Sequence, residues 1–160
     1  MLHGNRKLLI VEDNFDDEKL ILRAIQRMDL EIDIEVVRDG LAAVQRLCEG
    51  SHPLPDLVLL DWKLPLMMGS EVLKQLRSDD RCKDVPVVVF SSSDRPDDSS
   101  ECSELGGTDY VVKPVEYEAF LAAVQRIVRR YFSVSSQRPT VAPNSAEYSR
   151  TYMSGPDAIS

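Results

Sequence analysis

Three stretches of this chain, Leu8-Leu9-Ile10-Val11, Leu57-Val58-Leu59-Leu60 and Val87-Val88-Val89-Phe90, are apolar at every position. A strand with one wet face alternates apolar and polar residues, whereas these runs fit a parallel sheet buried on both faces. Two further runs complete the set. Ile34-Glu35-Val36-Val37 is mixed, which suits an edge strand, and Tyr110-Val111-Val112 is short. Between the runs the apolar period changes to that of a helix. Ile21, Ala24, Ile25 and Met28 recur at i, i+3, i+4, i+7 behind Asp16-Asp17-Glu18, whose acids favour a helix N-terminus. Leu41, Val44 and Leu47 predict a second helix, Val72, Leu73 and Leu76 after Gly69 a third, and Asp97–Leu105 a weak fourth closed by Gly106-Gly107. A strong fifth spans about Glu116 to Phe132. Five strand–helix alternations predict an α/β fold, a doubly wound five-stranded parallel sheet with right-handed crossovers.

Composition narrows the class. With Lys+Arg 19 against Asp+Glu 27, the net charge of −8 argues against nucleic acid as a partner, which needs a basic face. No apolar run approaches the ~18 residues of a membrane span, and Met1–Lys7 has no signal-peptide core. Three cysteines without a CxxC, and only two histidines, argue against a disulfide framework or a Cys/His zinc site. The expectation is a cytoplasmic domain over residues 1–133. The remaining 134–160, rich in Ser, Pro, Thr and Ala, have balanced charges (Arg138 and Arg150 against Glu147 and Asp157) and read as a disordered tail. That tail is too short for a DNA-binding output domain.

Ligands of an open parallel sheet bind outside the carboxyl ends of its strands. Glu12-Asp13, Asp61, Ser91-Ser92-Ser93 and Lys113-Pro114 follow the first, third, fourth and fifth runs, so three acids, a hydroxyl and an amine converge at one rim. Clustered carboxylates require a compensating cation. Mg2+ prefers such hard oxygen ligands, and a lysine and hydroxyl opposite it would cradle a phosphoryl group. One carboxylate could then be a nucleophile that becomes an aspartyl phosphate. Each feature alone has an ordinary explanation as a cap or turn; their coincidence in this order is what carries the inference.

From Lys7 to Phe132 the chain resembles the receiver domains of two-component response regulators. The matching motifs are Glu12-Asp13, Asp61-Trp62-Lys63-Leu64-Pro65 with Gly69, Ser91 after Pro86–Phe90, and Tyr110-Val111-Val112-Lys113-Pro114. The resemblance implies a flavodoxin-like strand order 2-1-3-4-5 and phosphorylation of Asp61. It implies Mg2+ held by Asp13, Asp61 and the carbonyl of Lys63, with Glu12 acting through water. Lys113 would pair with the phosphoryl group, or with Asp61 before phosphorylation, across a cis Lys113–Pro114 bond. Ser91 would swing toward the phosphoryl group and Tyr110 would fill the space it leaves, altering the helix 4, strand 5 and helix 5 face. Lys63 and Ser93 would flank the attacking water. Phe15, where many relatives have Pro or a small residue, points to a differently shaped loop. The segment Cys48–Pro55 and the ending Tyr131-Phe132 resemble stand-alone regulators of phytochrome histidine kinases, so the partner that the resemblance implies is a sensor histidine kinase of the phytochrome kind.

The competing reading is a Mg-dependent phosphohydrolase with an Asp nucleophile. Such enzymes usually place an acidic proton donor two residues after the nucleophile, where this chain has Lys63. A phosphorelay intermediate stays open. So does a purely binding role, although that would go with a missing acceptor or lysine. Trp62 is expected to edge the site, Met67 and Met68 to serve packing. Phe120, Val124, Ile127 and Tyr131 form one row of helix five, and Leu121, Val128 and Phe132 another. Either both rows cover the sheet on one broad face, with Tyr131 and Phe132 closing the helix end, or the surplus forms a homodimer seam centred on Tyr131 and Phe132, with Phe120 and Val124 as further candidates; the seam is the expectation.

Overall fold

The computed structural model describes residues 6–133; the tail expected over 134–160 lies outside the described residues. Five strands, β1 (Arg6–Val11), β2 (Ile32–Val37), β3 (Leu57–Leu60), β4 (Val87–Ser91) and β5 (Asp109–Val112), form one sheet in the order β2-β1-β3-β4-β5. All pairings are parallel, with Leu8 opposite both Ile34 and Leu57. The helices are α1 (Phe15–Gln26), α2 (Gly40–Cys48), α3 (Gly69–Ser78), α4 (Pro96–Glu104) and α5 (Tyr117–Val128), and α5 continues into a π-helical turn at Arg129–Ser133. The doubly wound fold read from the sequence is the fold observed.

Alternation along the strands divides the core. Leu8, Ile10, Leu57, Leu59, Val88 and Phe90 face α1 and α5, whereas Leu9, Val11, Val58, Leu60, Val87 and Val89 face α2 and α3. That is why Leu8–Val11, Leu57–Leu60 and Val87–Phe90 carry no polar residue. Helix entry follows local chemistry: Asn14, Asp39 and Glu116 cap α1, α2 and α5 by accepting from the backbone N–H of Asp17, Ala42 and Ala119. In α2 the core-facing stripe is Ala43, Val44 and Leu47; Leu41, expected in that stripe, lies one residue after the helix start and faces solvent. Met28 lies beyond the end of α1 but still packs against the core.

Helix α5 corrects the expected seam. Phe120, Val124 and Phe132 are 4%, 0% and 1% exposed within a single chain. The two apolar rows form one broad face that covers the sheet and also meets α1. Phe120 packs edge-on against Phe90 at 5.2 Å, and Gln125 donates to the Ala24 carbonyl at 3.0 Å. Of the four candidates only Tyr131 is partly exposed. Phe132→Ala should therefore cost about 3–5 kcal/mol of stability through the cavity it leaves. Urea unfolding checks this, and a loss below 1 kcal/mol would return Phe132 to the surface.

Candidate functional site

The parallel ladder sets the site. Beyond the end of β1, the Glu12 N–H donates to Val37 O at 3.0 Å, and the Asp61 N–H donates to Val11 O at 3.0 Å, bringing the two acids side by side. On the other flank, the Lys113 N–H donates to Ser91 O at 2.7 Å. Among the described residues the buried polar side chains are Glu12, Glu18, Asp61, Ser91 and Lys113, and all but Glu18 stand at this rim. Burying such groups is costly unless they are paired, so their concentration at one place marks chemistry rather than packing.

One carboxylate oxygen from each of Glu12, Asp13 and Asp61 lies within 4.8 Å of the others, with Asp13 open to solvent. The Lys113 ammonium donates to Glu12 Oε1 at 2.8 Å and to Asp17 Oδ2 at 2.8 Å, and stands 3.8 Å from Asp61 Oδ1. Asp17 is a partner that sequence reasoning missed. An acid in the first turn of a helix already has a sufficient local reason to be there, and its reach to a lysine 96 residues away shows only in three dimensions. In this state Lys113 is held mainly by Glu12 and Asp17, with Asp61 a more distant third partner.

The electrostatics leave negative charge to compensate. Burial, then the neighbouring Asp61, pushes Glu12 up to about 7. Burial also raises Asp61, against the attraction of Lys113. For Lys113, burial alone would lower the ammonium, but hydrogen bonds to Asp17 and Glu12 outweigh it and hold it above the usual lysine value. One ammonium facing four carboxylates fits a hard divalent cation on Glu12, Asp13 and Asp61, the set expected for Mg2+. The side chain of Lys63 points to solvent, as a residue contributing only its carbonyl can.

Since a cation needs these carboxylates ionised, metal affinity should fall about tenfold per pH unit below 7 if one proton on Glu12 is displaced. In chelator, the raised Glu12 stabilises the fold below its unfolded value near 4.5, and that contribution is lost as pH rises through 7. Calorimetric titration with Mg2+ at pH 6 and pH 8 checks the first, and a pH-independent affinity would refute it.

The loop that follows Asp61 is pinned by close backbone approach. A side chain at Gly69 would sit 2.7 Å from the Asp61 carbonyl oxygen, and one at Gly40 would sit 1.9 Å from that of Met67. The Gly40 N–H donates to Pro65 O, and Met67 N–H to the same carbonyl at 2.7 Å, which drives the intervening Leu66 to a φ of 67°. Gly69, read from the sequence as a motif position, thus has a steric reason, and Pro65 contributes its carbonyl to the turn.

Ser91, Ser93 and Tyr110 form a chain of hydrogen bonds. The Ser91 hydroxyl oxygen accepts from the Ser93 N–H at 3.2 Å, and the Tyr110 hydroxyl donates to Ser93 O at 2.8 Å. The Ser93 hydroxyl itself is turned to Asp98 in the first turn of α4. Trp62, expected at the edge of the site, is instead 2% exposed and packs edge-on against Tyr110 at 6.3 Å, because the chain dives into the core directly after Asp61. Met67 is half-buried against the core and Met68 exposed. Phe15 projects outward beneath the Lys19 ammonium at 4.9 Å. The described peptide bonds are all trans, so the cis Lys113–Pro114 bond implied by resemblance is not found; trans is also the lower-energy form of an X–Pro bond.

Comparison with known proteins agrees with this geometry. Residues 8–125 match the family described as the response regulator receiver domain. The probable methanogenesis regulatory protein FilR2 of Methanothrix harundinacea is 39% identical over 123 residues, 75% of this chain and 79% of that protein. Response regulator Rcp1 of Synechocystis is 32% identical over 124 residues, 75% of this chain and 84% of Rcp1, and it has been solved in a Mn2+-bound form. The phosphorylated cyanobacterial phytochrome response regulator RcpA superposes with a TM-score of 0.78 at 34% identity, covering 82% of this chain and 96% of RcpA. The chain spans about half of some longer relatives, such as the regulator PhoB of Escherichia coli, of which it covers 52%. The family match, the sheet order and the acid–lysine rim agree: the chain belongs to the response regulator receiver domain family.

Proposed function

We propose that this chain is a single-domain response regulator whose Asp61 accepts a phosphoryl group from a histidine kinase. The observation that carries the reading is the buried Asp61 carboxylate beside a buried lysine that is 2.8 Å from two other acids and free to shift its bonds. A carboxylate oxygen of Asp61 attacks phosphorus, the P–N bond of the donor phosphohistidine breaks, and the leaving imidazole nitrogen keeps the electron pair and takes a proton. Glu12, Asp13 and Asp61 would hold Mg2+, with the Lys63 carbonyl as a further ligand; bound there, the ion supplies charge neutralisation for the transferring oxygens. Lys113 then exchanges a carboxylate partner for the phosphoryl oxygens. Ser91 turns toward them and releases the Ser93 N–H, and the Ser93 carbonyl passes the change to Tyr110 and so to the α4–β5–α5 face.

A phosphohydrolase is disfavoured because the position two residues after the nucleophile carries an exposed lysine rather than a carboxylic acid. Likeness to Rcp1 and RcpA supports a phytochrome kinase as partner and a cytoplasmic setting; no described helix is long and apolar enough to cross a membrane. A homodimer is part of the proposal, with Tyr131 as its anchor because Phe120, Val124 and Phe132 are already buried. Residues 134–160 are proposed as an appended tail on the receiver domain of 1–133. The deciding experiment is incubation with acetyl phosphate and Mg2+ followed by peptide mass spectrometry. Phosphate on Asp61 is expected, and phosphate elsewhere, or rapid multiple turnover of a phosphomonoester, would overturn the reading.

A further inference from the structure

At the opposite end of the sheet from Asp61, the last residue of α2 meets the loop that follows α3. There the Sγ atoms of Cys48 and Cys82, 34 residues apart in sequence, approach to 3.7 Å. A carboxylate oxygen of Asp79 completes a triangle in which every donor lies within 4.8 Å of the others. Two thiolates bound to one tetrahedral Zn2+ at about 2.3 Å each stand about 3.8 Å apart, whereas a disulfide needs about 2.0 Å. The observed separation is that of the tetrahedral edge.

From this geometry we propose that Cys48, Cys82 and Asp79 form a second cation site, selective for a thiophilic divalent ion such as Zn2+ and separate from the acidic rim.

The surroundings suit a cation. Asp79 is held in place because its Oδ1 accepts from the backbone N–H groups of Arg81 and Cys82 at 2.8 and 3.2 Å, forming a turn that aims the carboxylate at the sulfurs. A dication with two thiolates and one carboxylate carries a net charge of −1, and the Arg81 guanidinium, anchored on Leu47 O at 2.6 Å and on His52 O, lies beside Cys48 to balance it. Burial raises both thiols, so an ion must displace a proton from each sulfur. Binding therefore releases two protons, one from each sulfur, and two metal–sulfur bonds form with no change of oxidation state. Sulfur ligands select against Mg2+, which prefers the oxygen set at the other rim. Cys48 is half-buried, which gives the ion an approach. Such an ion would join α2 to the turn before β4.

The test uses the full chain, reduced with a phosphine, in excess Mg2+ so that the acidic rim is saturated. Titration with Co2+ should develop thiolate-to-metal charge-transfer absorption that saturates at one equivalent and is displaced by Zn2+. Cys48→Ser, at a half-exposed position, should abolish the band, and Cys102→Ser should keep it. Asp79→Asn, which retains the turn-forming oxygen but not the charge, should weaken Co2+ binding tenfold or more. Zn2+ should raise the melting temperature of the wild type but not of Cys48→Ser. The proposal is overturned by a wild type without the band, by a band that persists in Cys48→Ser, or by a pair that forms a Cys48–Cys82 disulfide under mild oxidation while binding no Co2+.

Discussion

Asp61→Asn is expected to lower phosphoryl incorporation from acetyl phosphate to background, a loss of at least a hundredfold. The amide lacks the anionic oxygen that attacks phosphorus, and no neighbouring carboxylate replaces it. Glu12 is 2% exposed and bonded to Lys113, and Asp13 faces solvent. Removing the cation with a chelator should have a comparable effect in the wild type, because an approaching phosphoryl group would then meet several carboxylates and one ammonium already engaged by two of them. Acid-labile label counted on wild type and variant, each with and without Mg2+, measures both effects. Undiminished labelling of Asp61→Asn would move the acceptor elsewhere.

Lys113→Ala carries the second large effect, and on stability as well as signalling. The amine supplies the 2.8 Å partner of Glu12 and lies 3.8 Å from Asp61, so its removal strands buried carboxylates. Breaking a buried pair from one side typically costs about 3–5 kcal/mol. The expected loss appears in chelator at pH 8 and shrinks at pH 5, where Glu12, already raised to about 7, takes up a proton instead. Mg2+ should restore part of it. Urea unfolding at the two pH values, with and without the ion, gives the comparison; a variant as stable as the wild type in all four conditions would mean that Lys113 is not the compensating charge. Asp17→Asn serves as the graded counterpart. It takes the charge from one of the two short bonds and leaves Glu12 paired, so it should shift Lys113 toward Asp61 at little cost in stability.

What could be read before the structure follows physical rules. Asp61, Ser91 and Lys113 were legible because a parallel sheet sends the carboxyl ends of its buried strands to one rim, so the residue after each apolar run is placed by topology alone. Asp17 was not legible, since helix capping explains it locally. For Phe132 the seam was preferred over one broad face because a helical pattern gives the direction of an apolar face but not its width, and α5 covers both the sheet and α1. Leu41 failed similarly, its helix starting one residue earlier with the core position going to Ala43. Cys48 and Cys82 gave no sign of one another because no motif spacing spans the 34 residues between them.

The two glycine contacts of the acceptor loop divide the receiver into a fixed part and a moving part. With Gly69 against the Asp61 backbone and Gly40 against Met67, the acceptor cannot retreat when a phosphate is added, because both neighbours are main chain rather than adaptable side chains. The opposite bank, Ser91, Ser93 and Tyr110, is held by side-chain hydrogen bonds and, at Tyr110, by the edge of Trp62. On the proposed reading Asp61 is then a stator, and displacement at the site would be transmitted toward β5 and α4. Displacing this fixed side, for instance by Gly69→Ala, whose methyl would stand 2.7 Å from the Asp61 carbonyl oxygen, should lower acetyl-phosphate labelling of Asp61 itself, and undiminished labelling would refute it.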